Sequence, residues 1–232
     1  MTEIEKLYQE AEMLEYPDSM IKVRGEIPRR AFFPGGKGTF DNSDQISDKS
    51  IMILGQDFDS ERGFKKSLHQ GEEDIQKNST WRNLLIYLNE AGINPCICFF
   101  TNAIMGIRKG ESSIGKSPAF KDKSFINSCQ DLFLFQLALQ QPKVILVLGL
   151  RVAEFLSASS TELNVWSKIK NFTSIDNLNH QKIGNVTFKN NVSSSLVLLN
   201  HPSCRPWDLD RRTYSGYKGK DAIIHLLRST CN

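Results

Sequence analysis

Ile51-Met-Ile-Leu-Gly55-Gln-Asp57 is the stretch that decides the fold. Four consecutive apolar residues that end at a glycine are typical of a short strand buried on both faces of a parallel sheet. Three further apolar runs of this kind are present at 96–104, 143–149 and 196–200. We therefore predict a four-stranded, mainly parallel sheet.

Helical patterns separate the predicted strands. Apolar residues at spacings of three and four predict helices over 2–14, 81–91, 125–137, 151–156 and 221–228. Thr2 and Glu5 form a capping-box pattern, Ser79 or Thr80 can cap the second helix, and Gly92 can end it. Strands that alternate with helices predict an α/β fold, in which helices cover both faces of the sheet as a three-layer α/β/α sandwich.

The length and composition fit one globular domain. The chain has 232 residues, of which 40% are hydrophobic and 24% charged, as in an ordinary globular enzyme. We expect a single domain over 1–232, with an N-terminal helix and wrapping segment at 1–50 and the α/β core at 51–232. The formal net charge of +3 is mild and does not by itself indicate a nucleic-acid partner.

The cysteines and the N-terminus indicate where the protein works. The five cysteines are scattered, and Cys96 and Cys98 have the wrong spacing for a metal-binding or redox pair. Met1-Thr-Glu-Ile-Glu-Lys6 is acidic and has no apolar run, unlike a secretory signal. No run reaches the ~18 apolar residues that cross a membrane. We predict a cytoplasmic monomer with no membrane contact, bound metal or cofactor.

Polar side chains follow three of the predicted strands. Asp57 follows the first strand, Asn102 ends the second, and His201 follows the fourth. Since ligands bind beyond the carboxyl ends of parallel strands, we expect these side chains to converge. A carboxylate can stabilise a cationic sugar and orient water, a histidine can donate to a leaving base, and an amide can read a pyrimidine edge. Each residue also has a structural interpretation, as a cap or a packed loop residue.

Two segments resemble the signatures of the uracil-DNA glycosylase superfamily. Gly55-Gln-Asp57 is similar to the first signature, and His201-Pro-Ser203 to the second. Thr101-Asn102-Ala-Ile resembles the strand end that recognises uracil, and the run 141–153 resembles the iron–sulfur branch of the family. The match extends in the right order over roughly 51–228. It implies that Asp57 is the catalytic carboxylate, that His201 stabilises the leaving base, and that Asn102 reads the base.

The resemblance also implies that DNA is the partner. The loop after Pro202 would enter the minor groove while a nucleotide is flipped out of the duplex. Ser203 would contact a phosphate, and Arg205 with Trp207 would act as the wedge. The predicted DNA contacts are Ser203, Arg205, Trp207, Arg211 and Arg212.

The departures from the family pattern bear on cofactor and substrate. The iron–sulfur branch needs four cysteines, but Gly106 stands where one would follow Asn102 by four residues, and no N-terminal pair is present. Cys129 is therefore expected to be a core thiol, and no cluster is expected to bind. Familiar members continue with Pro-Tyr after the carboxylate, and this tyrosine excludes thymine. Here Phe58 and Asp59 follow, and a shorter polar residue would open the pocket to a hydroxylated 5-substituent. The stacking phenylalanine has no clear equivalent, and Phe64 is the nearest candidate.

The altered pocket favours a modified base. The base-binding candidates are Gln56, Phe58, Asp59, Phe64 and Asn102. They suggest a 5-modified cytosine, such as the hydroxymethylated or glucosylated base of some phage DNA, on which phage-defence members of the superfamily act. Uracil is the other candidate.

Two other interpretations stay open. Asp57-Phe-Asp59-Ser60 also resembles the start of haloacid dehalogenase-type phosphatases, in which the first Asp is a nucleophile and Mg²⁺ ligand. Such enzymes need a later acidic metal segment, and no late strand here ends in one. The second interpretation is a glycosylase-like protein that binds DNA without cutting it. A nicotinamide-binding fold is disfavoured, because no strand is followed by Gly-x-Gly-x-x-Gly.

Overall fold

A computed structural model describes residues 1–231 of the chain, in which strands and helices alternate. The strands are β1 (Met20–Ile21), β2 (Ile51–Gly55), β3 (Cys98–Asn102), β4 (Ile107–Arg108), β5 (Val144–Leu148), β6 (Lys182–Thr187), β7 (Ser193–Leu199), β8 (Thr213–Tyr214) and β9 (Tyr217–Lys218). The helices are α1 (Glu3–Glu12), α2 (Glu61–Gln70), α3 (Ser79–Ala91), α4 (Lys123–Gln140), α5 (Leu150–Leu156), α6 (Asn164–Ser167), α7 (Phe172–Asn177), α8 (Pro206–Asp210) and α9 (Gly219–Cys231). Within residues 1–231, no helix combines the length and apolar content needed to cross a membrane.

The main sheet of the described residues has five strands, in the spatial order β3-β2-β5-β7-β6. β3, β2, β5 and β7 are parallel, whereas β6 is antiparallel to β7. The four predicted strands are present, but the prediction of four strands omitted β6. Only Val186 of this strand is buried. An edge strand with so little burial carries no apolar run that a sequence pattern could reveal.

Side chains of the central strands alternate between two hydrophobic clusters, one on each face of the sheet. Met52 and Leu54 belong to the cluster that includes residues of α1, α4 and α5. Ile51 and Ile53 belong to the cluster that includes residues of α3 and α9. Because β2, β3 and β5 are buried at every position, their sequences are continuous apolar runs rather than alternating ones.

Several helix ends follow their sequence signals. The capping box of α1 is formed, since the Glu5 amide donates to Thr2 Oγ1 at 3.2 Å and the Thr2 amide donates to Glu5 Oε2 at 2.7 Å. α3 ends at Gly92, whose φ of 80° is left-handed. Its N-cap is Asn78, just before the predicted caps. The sequence does not predict α2, because none of its residues is buried and it has no apolar stripe.

The segment between α1 and β2 covers the outer edge of β3. The Phe33 amide donates to the Phe100 carbonyl at 3.0 Å, and the Phe100 amide donates to the Gly38 carbonyl at 2.7 Å. Thr39 continues this contact as an antiparallel bridge with Phe99. These bonds satisfy the backbone of the edge strand and bring Phe33 beside the carboxyl end of β3.

Candidate active site

Three polar side chains lie at the carboxyl edge of the sheet. Asp57 follows β2 by two residues, Asn102 ends β3, and His201 follows β7 by two residues. Gly55 is the register partner of Asn102, and a Cβ on Gly55 would lie 2.5 Å from Asn102 Oδ1. Glycine at position 55 therefore allows the carboxamide to lie against the end of β2, beside the turn that carries Asp57.

The Asp57 carboxylate is buried against Arg108. The two side chains are 6% and 4% exposed, respectively. Asp57 Oδ2 accepts a hydrogen bond from Arg108 Nε at 2.5 Å, and Oδ1 accepts one from Nη2 at 3.1 Å. Burial raises the pKa of Asp57 above its ordinary value, and the Arg108 guanidinium opposes that rise. Arg108 is thus part of the site.

Arg108 also holds residues 109–116, a segment exposed along its whole length that we call the site loop. Its Nη1 donates to the Ile114 carbonyl at 3.1 Å, and its Nη2 donates to the Gly115 carbonyl at 3.0 Å. Gln56 Nε2 donates to the same Gly115 carbonyl at 3.1 Å. Gln56 Oε1 is buried and has no hydrogen-bond partner among the described residues. An unpaired acceptor therefore lies beside the carboxylate, as is common where a ligand is to bind.

His201 is held in one tautomer by Ser203. The Ser203 amide donates to His201 Nδ1 at 3.3 Å, so this nitrogen acts as an acceptor. Ser203 Oγ lies 2.8 Å from the same nitrogen and can donate to it as well. Burial, and after it the charge of Arg108, lowers the pKa of His201 below its ordinary value of 6.5. The imidazole is therefore neutral at neutral pH, with its proton on Nε2.

The Asn102 carboxamide is fixed in orientation. Asn102 is 3% exposed, and its Nδ2 donates to the Phe33 carbonyl at 3.1 Å. The amide carries a second N–H and an oxygen with two lone pairs. It can therefore present a donor and an acceptor to a ligand while it keeps this bond.

Phe58 and Phe64 pack against each other near the start of α2. Phe58 is 6% exposed, and a Cβ on Gly35 would lie 2.2 Å from its ring. The two phenylalanine rings meet edge to face, with centroids 5.7 Å apart. The Phe58 ring packs within the hydrophobic core beside Gly35, and its role as a base contact stays a prediction. Half-buried Phe64 keeps surface on which a base could stack.

Asp59 lies at the beginning of α2 in an unusual backbone conformation. Its φ of 145° is rare for a residue with a side chain, and such strain is concentrated at functional sites. Asp59 Oδ1 accepts from the Ser60 amide at 2.5 Å, and a Cβ on Gly63 would lie 2.0 Å from Oδ2. The carboxylate is thus held against the first turn of the helix, where the backbone amides favour a negative charge.

The loop after His201 carries the exposed part of the predicted DNA contacts. Ser203, Arg205, Trp207 and Arg211 are exposed, and Trp207 is 52% exposed. The Arg205 guanidinium lies over the Trp207 ring, 5.2 Å from its centroid. These side chains are free to meet a partner.

The prediction of Arg212 as a DNA contact is wrong, because this residue is 1% exposed. Its Nε donates to Asp176 Oδ2 at 2.9 Å, and its Nη2 donates to the Leu198 carbonyl at 3.2 Å. Nη1 donates to Asn200 Oδ1, and the guanidinium lies over the Phe172 ring. Arg212 therefore ties α7 to the end of β7.

The His, Cys, Asp and Glu side chains are the groups that could ligate a metal ion. Within residues 1–231, no three His, Cys, Asp or Glu side chains are grouped so that they could hold a metal ion. Burial raises the pKa of the Cys129 thiol to about 12, which keeps it protonated. The phosphatase interpretation requires Asp57 as a Mg²⁺ ligand, and both of its oxygens accept from Arg108 in this conformation, so that interpretation would require Arg108 to release them.

Two cavities lie away from this edge of the sheet. One of about 430 Å³ is lined by Arg30, Gln70 and residues 72–76, and one of about 290 Å³ by residues 157–161, 164 and 187–189. Neither is lined by Asp57, Asn102 or His201. In this conformation Arg108 covers both carboxylate oxygens of Asp57.

No protein-family model matches the chain, and a search of curated proteins finds no significant match. The functional argument therefore rests on the geometry of Asp57, Arg108 and His201. Arg108 is the member of this group that the sequence analysis missed. Its one signal is a charged residue at the end of the otherwise uncharged run 103–108.

Proposed function

We propose that the protein is a monofunctional DNA glycosylase, a cytoplasmic monomer that hydrolyses the N-glycosidic bond of a flipped-out pyrimidine without a cofactor. The observation that carries this proposal is the state of His201. Its imidazole is neutral with the proton on Nε2, and it lies at the same sheet edge as a buried carboxylate. A neutral donor and a carboxylate are the two groups that glycosidic cleavage requires.

Each group has a defined part in the reaction. The bond between the sugar C1′ and the base nitrogen breaks, and its electron pair leaves with the base. His201 Nε2–H donates to the base oxygen, where negative charge develops. Asp57 stabilises the cationic sugar and orients the water whose oxygen bonds to C1′. The proton lost by this water passes to Asp57 and ends on the departing base.

Arg108 separates the resting arrangement from the reactive one. A carboxylate that shares its charge with a guanidinium stabilises a cationic sugar less well. Catalysis therefore requires Arg108 to give up at least one of its two hydrogen bonds to Asp57 when DNA binds. The DNA phosphates are a competing acceptor for the guanidinium.

The acceptors near Asp57 favour a 5-modified cytosine, hydroxymethylated or glucosylated, with uracil as the alternative. Gln56 Oε1 is buried and has no hydrogen-bond partner within residues 1–231, and Asp59 is half-buried. Acceptors suit the exocyclic amino group of cytosine and a hydroxyl on its 5-substituent. Such a substrate fits a role in defence against phage.

The test is incubation with DNAs that carry uracil, thymine, hydroxymethylcytosine or glucosylated hydroxymethylcytosine, with mass detection of the released base. We expect a modified cytosine to be released by the wild type and not by Asp57→Asn. Release of uracil alone would contradict the proposed substrate. Release of no base from any DNA would contradict the proposed reaction.

A second candidate is a glycosylase-like protein that binds DNA without cutting it. The two hydrogen bonds between Arg108 and Asp57 favour it, because they leave the carboxylate fully paired. Under this alternative, Asp57→Asn would keep the biological activity of the protein, whereas a glycosylase would keep DNA binding and lose the activity.

A further inference from the structure

The site loop carries an exposed apolar side chain beside the candidate active site. Ile114 is 90% exposed, more than any other large apolar side chain in residues 1–231. Exposed aliphatic residues are common one at a time, but this one is on a short loop with glycines on both sides, Gly110 and Gly115. Ile114 also lies close to the residues of the candidate active site.

The Arg108 guanidinium contacts both the Ile114 backbone and the Asp57 carboxylate. Arg108 Nη1 donates to the Ile114 carbonyl at 3.1 Å, while Nε of the same side chain donates to Asp57 at 2.5 Å. If Asp57 faces the sugar of a flipped nucleotide, as the proposed function requires, an exposed side chain on this loop is within reach of the duplex that the nucleotide has left. Such a duplex has an empty space once the base has left the stack.

The composition of the site loop suits a nucleic-acid groove. Lys109 and Lys116 stand at its two ends, although Lys116 Nζ lies 2.8 Å from Glu154 Oε1. Ser112 and Ser113 are small polar residues that can contact phosphate or sugar. Glu111 is the one acidic residue of the loop, and it lies 3.6 Å from Arg62. Duplex DNA, in which phosphates lie on both sides of an apolar base stack, matches a loop with polar residues on both sides of Ile114. An apolar protein surface matches it less well.

We propose that Ile114 inserts into the base stack of duplex DNA and fills the space of the flipped nucleotide, as a wedge separate from Arg205 and Trp207. This inference rests on the proposed function.

The experiment compares Ile114→Ala with Leu178→Ala, a matched control in which an exposed side chain is shortened at the end of α7. Base release under single-turnover conditions is measured on duplex and single-stranded DNA with the same target base. Because a single strand has no stack to open, we expect Ile114→Ala to slow duplex cleavage by about tenfold or more and single-strand cleavage by less than about twofold. Equal losses on both DNAs, or none on either, would overturn the proposal.

A second measurement separates this proposal from the proposed function. 2-Aminopurine is placed next to the target base in duplex DNA, and its fluorescence is measured as protein with the Asp57→Asn substitution is added. A rise in fluorescence with the Asp57→Asn protein, and none with the double variant Asp57→Asn, Ile114→Ala, supports the wedge, even if no DNA is cleaved. An equal rise with both proteins, or no rise with either, would contradict it.

Discussion

Arg108 holds both carboxylate oxygens of Asp57, with its Nε 2.5 Å from Oδ2 and its Nη2 3.1 Å from Oδ1. This pair counteracts the rise that burial causes in the pKa of Asp57. The charge state of the proposed catalytic carboxylate thus depends on an arginine that the DNA phosphates can attract.

Arg108→Gln should move the acidic limb of the pH–rate profile to higher pH. Without the guanidinium, only the hydrogen bonds from Ser117 and Gln56 oppose the effect of burial, so the pKa of Asp57 rises further and the carboxylate is protonated over a wider range. The measurement is single-turnover base release from pH 4 to pH 9. Arg24→Gln is the control, because it breaks only an exposed ion pair with Glu12 on α1. A profile that does not move with Arg108→Gln would show that Asp57 does not set this limb.

His201 should titrate below its ordinary value of 6.5, with Nε2 protonated in the neutral form. Nitrogen NMR distinguishes the two tautomers by the shifts of the ring nitrogens, and His69, His180 and His225 give internal comparisons. In Arg108→Gln, the pKa of His201 should rise, because a nearby positive charge has been removed. A neutral form protonated on Nδ1 would remove the observation on which the proposed function rests.

The free energy of unfolding of the wild type should fall as pH rises from about 4.5 to about 7, and Glu73→Gln should remove this fall. Glu73 is buried, accepts from the Phe32 amide at 3.0 Å and from Trp81 Nε1 at 2.7 Å, and has a pKa raised from 4.5 to about 7. The folded state therefore binds more protons than the unfolded state between these values, so the free energy of unfolding falls as pH rises through this window. The change is about 3 kcal/mol.

The measurement for this prediction is urea unfolding at pH 4.5, 6 and 8. The stability of Glu73→Gln relative to the wild type should increase across the series, since the glutamine oxygen can accept the same two hydrogen bonds. Glu72→Gln is the control and should show no such trend. A constant difference between Glu73→Gln and the wild type would contradict the raised pKa.

Arg212→Met should destabilise the fold by about 3–5 kcal/mol, because it leaves Asp176 buried without its partner. Its exposed neighbour gives a matched control, since Arg211→Met should change the free energy of unfolding by less than about 0.5 kcal/mol. Equal unfolding midpoints for the two variants would contradict the structural role of Arg212.

For DNA binding, we expect Arg211→Met to reduce the salt dependence of the affinity by about one phosphate contact.

The sequence predicts those parts of the fold that are buried on two sides. β2, β3, β5 and β7 carry apolar runs because helices cover both faces of the sheet, and the capping box of α1 is a local pattern. β6 and α2 are largely exposed, so neither has a run or stripe that distinguishes it from a loop. Their formation depends on neighbours that are distant in sequence.

The site divides in the same way. Asp57, Asn102 and His201 are predicted to lie together because parallel strands end at one edge. Arg108 and Arg212 are two arginines whose roles depend on contacts 51 and 36 residues away along the chain. No local pattern distinguishes such an arginine from a solvated one, which is why Arg108 was missed and Arg212 was assigned to DNA.

The segment that contains Phe33 contacts both the edge of the sheet and the candidate site. Its backbone pairs with the outer edge of β3, and the Phe33 carbonyl fixes the Asn102 carboxamide. An uncovered edge strand is a template for pairing with other chains and for aggregation. Substitutions that loosen this segment should therefore make the protein insoluble at the same time as they disturb Asn102, the proposed base reader, and solubility is the property to measure first in any such variant.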